Sequence, residues 1–214
     1  ALRQEVPTVL AALTEEGVLQ QDGDEYRLQT AVGRAWDEAF RRHSAQLTDS
    51  EISTERDTRL RAEVAQALPT SVPQGKAKVA RKLSLHTDST APTASDMIPV
   101  WLRSEWDDGT TPKKFDDLAR GFGTDSAIVF VHLPRADAQA FAAALRNQLA
   151  TQRTLDQQGI PQGDEGKQAR RAMETRLGRA HAQVSGYIRH VMSKASVQLG
   201  GGSAPTGTAL RDRI

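Results

Sequence analysis

Four carboxylates stand where strands could end: Glu105, Asp107 and Asp108 in the run Glu105-Trp-Asp-Asp-Gly109, and Asp125 beyond the next helical stretch. Open α/β sheets seat ligands at the carboxyl ends of their strands, so carboxylates converging there would hold Mg²⁺ for phosphoryl transfer. The plainer reading is an acidic loop that stays solvated. Two basic groups offer the opposite chemistry. Lys76, Lys78, Arg81 and Lys82 fall within seven residues that contain no acid. Arg170, Arg171, Arg176 and Arg179 lie on a long helical stretch, largely off its apolar seam. The first run is the candidate for nucleic-acid contact, the second for contact with a partner. The plain alternative for both is a solvated face with local ion pairs.

Other chemistry is sparse. No GxxxxGK[ST], HExxH or GxSxG pattern occurs, and Gly200-Gly-Gly202 lacks the lysine and the strand-to-helix setting of a phosphate loop. The five histidines, His43, His86, His132, His181 and His190, are scattered, and His132 sits in an apolar run that suits a core position. No catalytic residue and no resident metal ligand is assigned, and the chain reads as having no enzyme activity of its own. Absence of cysteine excludes disulfides and thiolate metal sites.

The elements that must position these groups are legible in the patterning. Leu10 and Leu13 mark a helix that stops at Gly17; Val18–Gln20 and Glu25–Leu28 read as strands joined by Asp22-Gly23. Asp-Gly between alternating runs is a strong hairpin signal, because a type I′ turn needs positive φ at both central residues. Helix then hairpin is the second half of a winged helix, and the helices that should precede it are missing ahead of Ala1. The chain therefore reads as a piece of a larger protein. Residues 1–30 carry two basic and six acidic side chains. A recognition helix entering DNA carries Arg, Lys, Asn or Gln, so this module is read as docking on protein.

After Gly33 a helix places Trp36, Ala39, Phe40, His43 and Leu47 on one side, and it is expected to pack against the helix and hairpin. Thr48-x-x-Glu51 is a capping box opening a second helix that Pro69 ends. The first region is thus 1–68, and 69–75 reads as a linker. Residues 76–133 form a small α/β unit. Alternation at Val79, Leu83, Leu85 and again at Ile98, Val100, Leu102 predicts strands, Phe115–Ala119 a short helix, and Ala127–Leu133 a strand covered on both faces. Strand, helix, strand implies a βαβ unit and a mostly parallel sheet. Residues 134–199 read as a helical hairpin: Pro134 starts one helix, Gly159–Gly163 turns the chain, and Met173, Leu177, Ala180, Val184, Tyr187 and Val191 form a seam with a 3.5-residue repeat. That seam is expected to face Phe141, Leu145 and Leu149. Residues 200–214 read as linker or tail. The fold class is mixed α+β: a partial winged helix, a small mostly parallel α/β sheet and a long antiparallel helical hairpin.

Formal charge is +1, so no global field draws the chain to nucleic acid, yet residues 135–199 carry ten basic and five acidic side chains. No apolar run approaches the about 20 residues of a membrane span, and no signal peptide is visible. The expectation is a cytoplasmic protein with no membrane partner.

The residues also resemble a family. EEGVLQQDGDEYRLQT followed by Gly33-x-x-Trp36-x-x-x-Phe40 is similar to the region after the ATPase domain in the large P-loop proteins of BREX and Pgl phage-defence systems (the BrxC/PglY group). GKAKVARKLSLH (Gly75–His86), IPVWLRSEW (Ile98–Trp106), SAIVFVHLP (Ser126–Pro134) and GDEGKQARRAMETRLGRA, then VQLGGG, follow in the same order. The resemblance implies a much larger bacterial cytosolic parent that binds ATP and Mg²⁺ in an N-terminal AAA-like domain. It implies partners as well, a methyltransferase and a phosphatase-like protein, acting in antiviral defence to block phage replication and mark host DNA. No ATP-site residue of the family falls on this chain, so no cofactor is expected in it. The implied role is non-catalytic coupling between the ATPase and partner proteins, with DNA contact open and oligomeric state unassigned. The alternative is a metal-dependent, nuclease-like phosphoryl-transfer domain using Glu105, Asp107, Asp108 and Asp125.

Overall fold

The structure, a computed structural model, describes residues 2–16, 18–22, 25–28, 30–74, 76–93, 95–199 and 202–204. In chain order the elements are α1 (Leu2–Glu15), β1 (Leu19–Asp22), β2 (Glu25–Leu28), α2 (Ala31–Gln46), α3 (Asp49–Ala67), β3 (Ser71–Gln74), β4 (Val79–His86), β5 (Ile98–Ser104), α4 (Pro112–Gly121), β6 (Val129–Leu133), α5 (Ala138–Gln158), α6 (Asp164–Ser193), β7 (Ser196–Leu199) and β8 (Gly202–Ala204). Together they make a mixed α+β fold. Among the described residues no helix is long and apolar enough to cross a membrane. The chain divides into two compact units, residues 1–52 with 143–182, and residues 53–142 with 183–214.

In the first unit, β1 and β2 pair antiparallel with Leu19 opposite Leu28. Gly17 and the Gly23–Asp24 part of the expected turn lie outside the described residues. Helix α2 begins earlier than Gly33: Thr30 is its N-cap, and its side chain accepts from the Gly33 N–H at 3.0 Å. A threonine at that position satisfies one of the donors that a helix start leaves orphaned. The Thr48 capping box forms in both directions. Glu51 N–H donates to Thr48 Oγ1 at 3.2 Å and Thr48 N–H to Glu51 Oε2 at 2.8 Å. Glu51 also pairs with Arg153 at 2.8 Å, and these donors hold its carboxyl down at about 2, the Arg153 bond contributing most.

Trp36 is buried. It packs with Leu155 of α5 and Ala169 and Met173 of α6, with Phe40 and Leu177 at the margin. Along α5 and α6, Gln148 Nε2 meets His181 Nδ1 at 3.2 Å, and Leu155 meets Ala169 and Met173. Buried Thr151 and Thr154 donate back to the carbonyls of Asn147 and Ala150, which removes the cost of burying free hydroxyls.

The second unit is built on a six-stranded sheet in the order β3-β4-β5-β6-β7-β8. The pairs β4–β5 and β5–β6 are parallel; β3–β4, β6–β7 and β7–β8 are antiparallel. The sheet is therefore mixed rather than mostly parallel. Part of the expected linker, Ser71–Gln74, is its edge strand, where Pro73 is tolerated because an edge leaves N–H positions unpaired. The far side likewise departs from expectation: β7 and β8 occupy stretches read as the end of a helical hairpin and the start of a tail.

Helix α4 covers one face, with Phe115 and Ala119 packed on Trp101, Ile128 and Phe130. Leu60 of α3 borders a small hollow with Leu102 and Leu133 on the other. Strands covered on both faces read as continuous apolar runs, which is why Ile98–Leu102 and Val129–Leu133 are buried throughout. Beside the sheet, the Arg56 guanidinium lies 4.9 Å from the Trp106 ring, Trp106 meets Phe141 edge-on, and Phe141 stacks on Tyr187 at 5.8 Å. Helix α5 begins at Ala138 instead of Pro134, after Asp137 with φ 48°.

Candidate functional site

The basic run Lys76–Lys82 falls on the β3–β4 hairpin. Lys76 and Lys78 occupy the turn, where Lys78 has φ 50°, and Lys82 lies on β4 opposite Ser71. All three are exposed, and among the described residues none makes an ion pair. Neighbouring Val79 is 61% exposed, so the tip is open to a partner. Arg81 differs. Its guanidinium donates to the Ser95 and Asp96 carbonyls at 2.8 and 3.2 Å and reaches the Met97 carbonyl at 3.4 Å. It clamps the loop entering β5, and sequence order alone could not separate it from its lysine neighbours.

The arginines of α6 also divide. Arg170 pairs with Glu174 at 2.9 Å and donates to the Gly159 carbonyl, closing the loop between α5 and α6. Arg171 is exposed. Arg176 and Arg179 enter a groove of about 340 Å³ whose other walls include Asp37, Phe40 and Arg41 of α2, with Thr14 of α1 and Leu19 of β1. Arg176 is held in place there. It lies 4.3 Å over the Phe40 ring and 3.5 Å from Asp37, and it approaches Met173 Sδ at 3.9 Å. Arg41 joins this group only in three dimensions. The available signal was its place one helical turn after Asp37, next to the apolar Trp36/Phe40 edge.

The four carboxylates are not brought together. Glu105, Asp107 and Asp108 follow the C-terminal end of β5, whereas Asp125 precedes β6, which runs parallel to β5. Asp125 is therefore at the opposite end of the sheet. The others have local duties. Glu105 accepts from the Arg135 N–H at 2.8 Å, and Asp107 accepts from the Ser104 N–H at 3.1 Å and stands 3.8 Å from Arg103. Asp108 borders a hollow with Arg103 and Lys114. Among the described residues no three histidine or acidic side chains stand where they could share a metal ion.

Four histidines have polar neighbours: His43 with Gln157, His86 with Ser84, His181 with Gln148, and His190 with Asp137. His132 is 5% exposed, and its Nε2 lacks a hydrogen bond among the described residues. Glu105 Oε1 is 3.5 Å away and the Phe115 ring 4.9 Å away. Burial pulls the imidazole below its ordinary pKa of 6.5, and the charges of Glu105 and Asp116 oppose that pull. Asp116 is itself held by Gln198, a buried residue of β7. No family model, curated protein or solved structure matches the chain.

Proposed function

We propose that this chain is a non-catalytic coupling and interaction segment of a bacterial, cytoplasmic phage-defence ATPase of the BREX/Pgl kind. In this reading ATP and Mg²⁺ belong to another part of the parent. The partners are a methyltransferase, a phosphatase-like protein and DNA. The ordered succession of motifs from Glu15 to Gly202 supports the family.

Contact with DNA rests on one observation, the exposed Lys76, Lys78 and Lys82 on the β3–β4 hairpin, unpaired among the described residues. Cations without internal partners release counterions when they meet phosphates, which is the main source of sequence-independent affinity. The α1–β1–β2 module is read as a winged-helix remnant that docks on protein, because its stretch carries six acids against two bases. Helices α5 and α6 are read as an antiparallel hairpin that serves as an interaction arm and offers Arg171 to a partner.

Duplex DNA binding by the full chain across a salt series tests the proposal. Replacing Lys78 and Lys82 together with alanine should flatten the log–log salt slope by about 1.8, or ~0.9 for each phosphate that is no longer neutralised. Weakening should be uniform across DNA sequences. No binding at low salt, or an unchanged slope in the double variant, refutes the assignment.

A further inference from the structure

Helix α1 carries an apolar stripe whose outer edge meets water. Val6, Val9, Leu10 and Leu13 recur at three- and four-residue spacing, which sets them on one side of the helix, about 100° wide. Leu10 and Leu13 are half-buried, but Val6 is 49% and Val9 54% exposed. Val18 prolongs the stripe: its N–H donates to the Leu13 carbonyl at 2.8 Å, and it too is exposed. On the inner flank Thr14 borders the groove with α2 and α6. The opposite flank, beyond Val9, is acidic. Glu5 and Glu16 stand about three turns apart and so share that side. Glu16 keeps the helical geometry, since its N–H donates to the Ala12 carbonyl at 2.8 Å, and both carboxylates are exposed. No lysine or arginine occurs from Gln4 to Tyr26, and even with Arg3 and Arg27 counted, residues 1–30 hold six acids against two bases.

We infer that this side of α1 docks a cationic amphipathic helix of a partner protein. The inference rests on the reading of α1, β1 and β2 as a protein-docking module and gives that module a partner chemistry. Single apolar residues scattered over a surface need no explanation, but here Val6, Val9 and Val18 continue one line with the half-buried leucines. Side chains at i, i+3, i+4 and i+7 form the ridge that a second helix packs against. Charge then selects the partner. An acidic rim beside an apolar contact attracts lysine and arginine and repels carboxylates and phosphates. A second copy of α1 is disfavoured by the same rule, because an antiparallel pair would set Glu5 of each copy beside Glu16 of the other. A helix with leucines at helical spacing and lysine or arginine along one edge satisfies both the stripe and the rim.

Fluorescence anisotropy with the full chain and labelled peptides of about 18 residues, long enough to hold a helix alone, tests the inference. One peptide carries leucine at helical spacing and lysine elsewhere; two others replace the lysines with glutamine or with glutamate. The lysine peptide should bind at least tenfold more tightly than either, and the margin should shrink as salt screens the rim. Val6→Ser with Val9→Ser should weaken it at least tenfold, with circular dichroism unchanged because both side chains are exposed. Glu5→Gln with Glu16→Gln should bring the lysine and glutamine peptides within about threefold of each other, as expected when rim charge sets the preference. The Lys78/Lys82 double variant should bind the lysine peptide as the parent does, which separates this face from the DNA assignment. Equal binding of the glutamine and lysine peptides overturns the cationic partner while leaving the docking module standing. Failure of every peptide to bind, or a valine variant within twofold of the parent, overturns both. A dimer in sedimentation that the valine variant dissolves gives the face to a second copy and also overturns the inference.

Discussion

Removing the Arg146 side chain should loosen the junction between α2 and α3. From α5, Arg146 Nη1 donates to the Ser44 carbonyl at 3.1 Å and to the Leu47 carbonyl, while Nη2 reaches Asp49 Oδ1 at 2.8 Å. Ser44 and Leu47 sit at the end of α2, where a helix leaves its last carbonyls without intrahelical donors. A hydrogen bond from a charged donor contributes about 1.5–3 kcal/mol when shielded. The Arg146 side chain is 31% exposed, so water replaces part of each bond, and about 1 kcal/mol per carbonyl is a better figure. Asp49 is fully exposed and adds little. Arg146→Ala should therefore cost about 2 kcal/mol in urea unfolding, with faster hydrogen exchange at the amides of residues 44–52. Arg146→Lys should recover roughly half, since an ammonium lacks the fork that spans both carbonyls. Asp49→Ala should change stability by less than about 0.5 kcal/mol. The reasoning fails if Arg146→Ala falls within about 0.5 kcal/mol of the parent, or if Asp49→Ala costs as much.

Two glycines of α6 should respond in opposite directions. A Cβ on Gly166 would lie 2.5 Å from Pro161 Cβ, a ring atom with little room to give, so Gly166→Ala should destabilise by about 1–2 kcal/mol after its gain in helix propensity. Gly178 has nothing within 4 Å of that position, so Gly178→Ala should stabilise by about 0.5–1 kcal/mol; paired thermal melts decide both. Buried His132 predicts a pH effect. Its folded pKa lies below 6.5, so the unfolded chain takes up the proton first, and stability should fall as the pH drops through 6.5 toward the folded value. His132→Gln should flatten that part of the curve, and a melting profile as steep as the parent's would count against the assignment.

Local signals were legible wherever neighbours along the chain determine the outcome. The Thr48/Glu51 box forms because its two residues are three apart, and β5–α4–β6 follows from continuous apolar runs around a short amphipathic helix. Strand β7 was hidden for the opposite reason. Ser196–Leu199 is four residues long and follows a helix directly, and it becomes a strand because β6 offers an open edge. The Trp36/Phe40 pair announced a buried face but not its neighbour, which comes from residues more than a hundred positions later. Site residues obeyed the same division. Sequence gathered Lys76, Lys78, Arg81 and Lys82 as one run, while the carbonyls that occupy Arg81 come from residues 95–97. Asp125 looked close to Glu105 by count, and only the parallel direction of β6 sends it to the other end. Arg41 became a groove residue through α6.

The interleaving of the two units has a consequence for biosynthesis. The first unit needs residues 1–52 together with 143–182, so its N-terminal part waits on the ribosome for about 130 further residues. At about 5–20 residues per second that delay is about 7–26 s. Until Leu155 and Met173 are made, the indole of Trp36 has neither to pack against. The nascent chain thus leaves this apolar face uncovered during a defined window of translation. Pauses in elongation that fall after Ile52 and before Ala182 would lengthen its exposure, while pauses elsewhere would not.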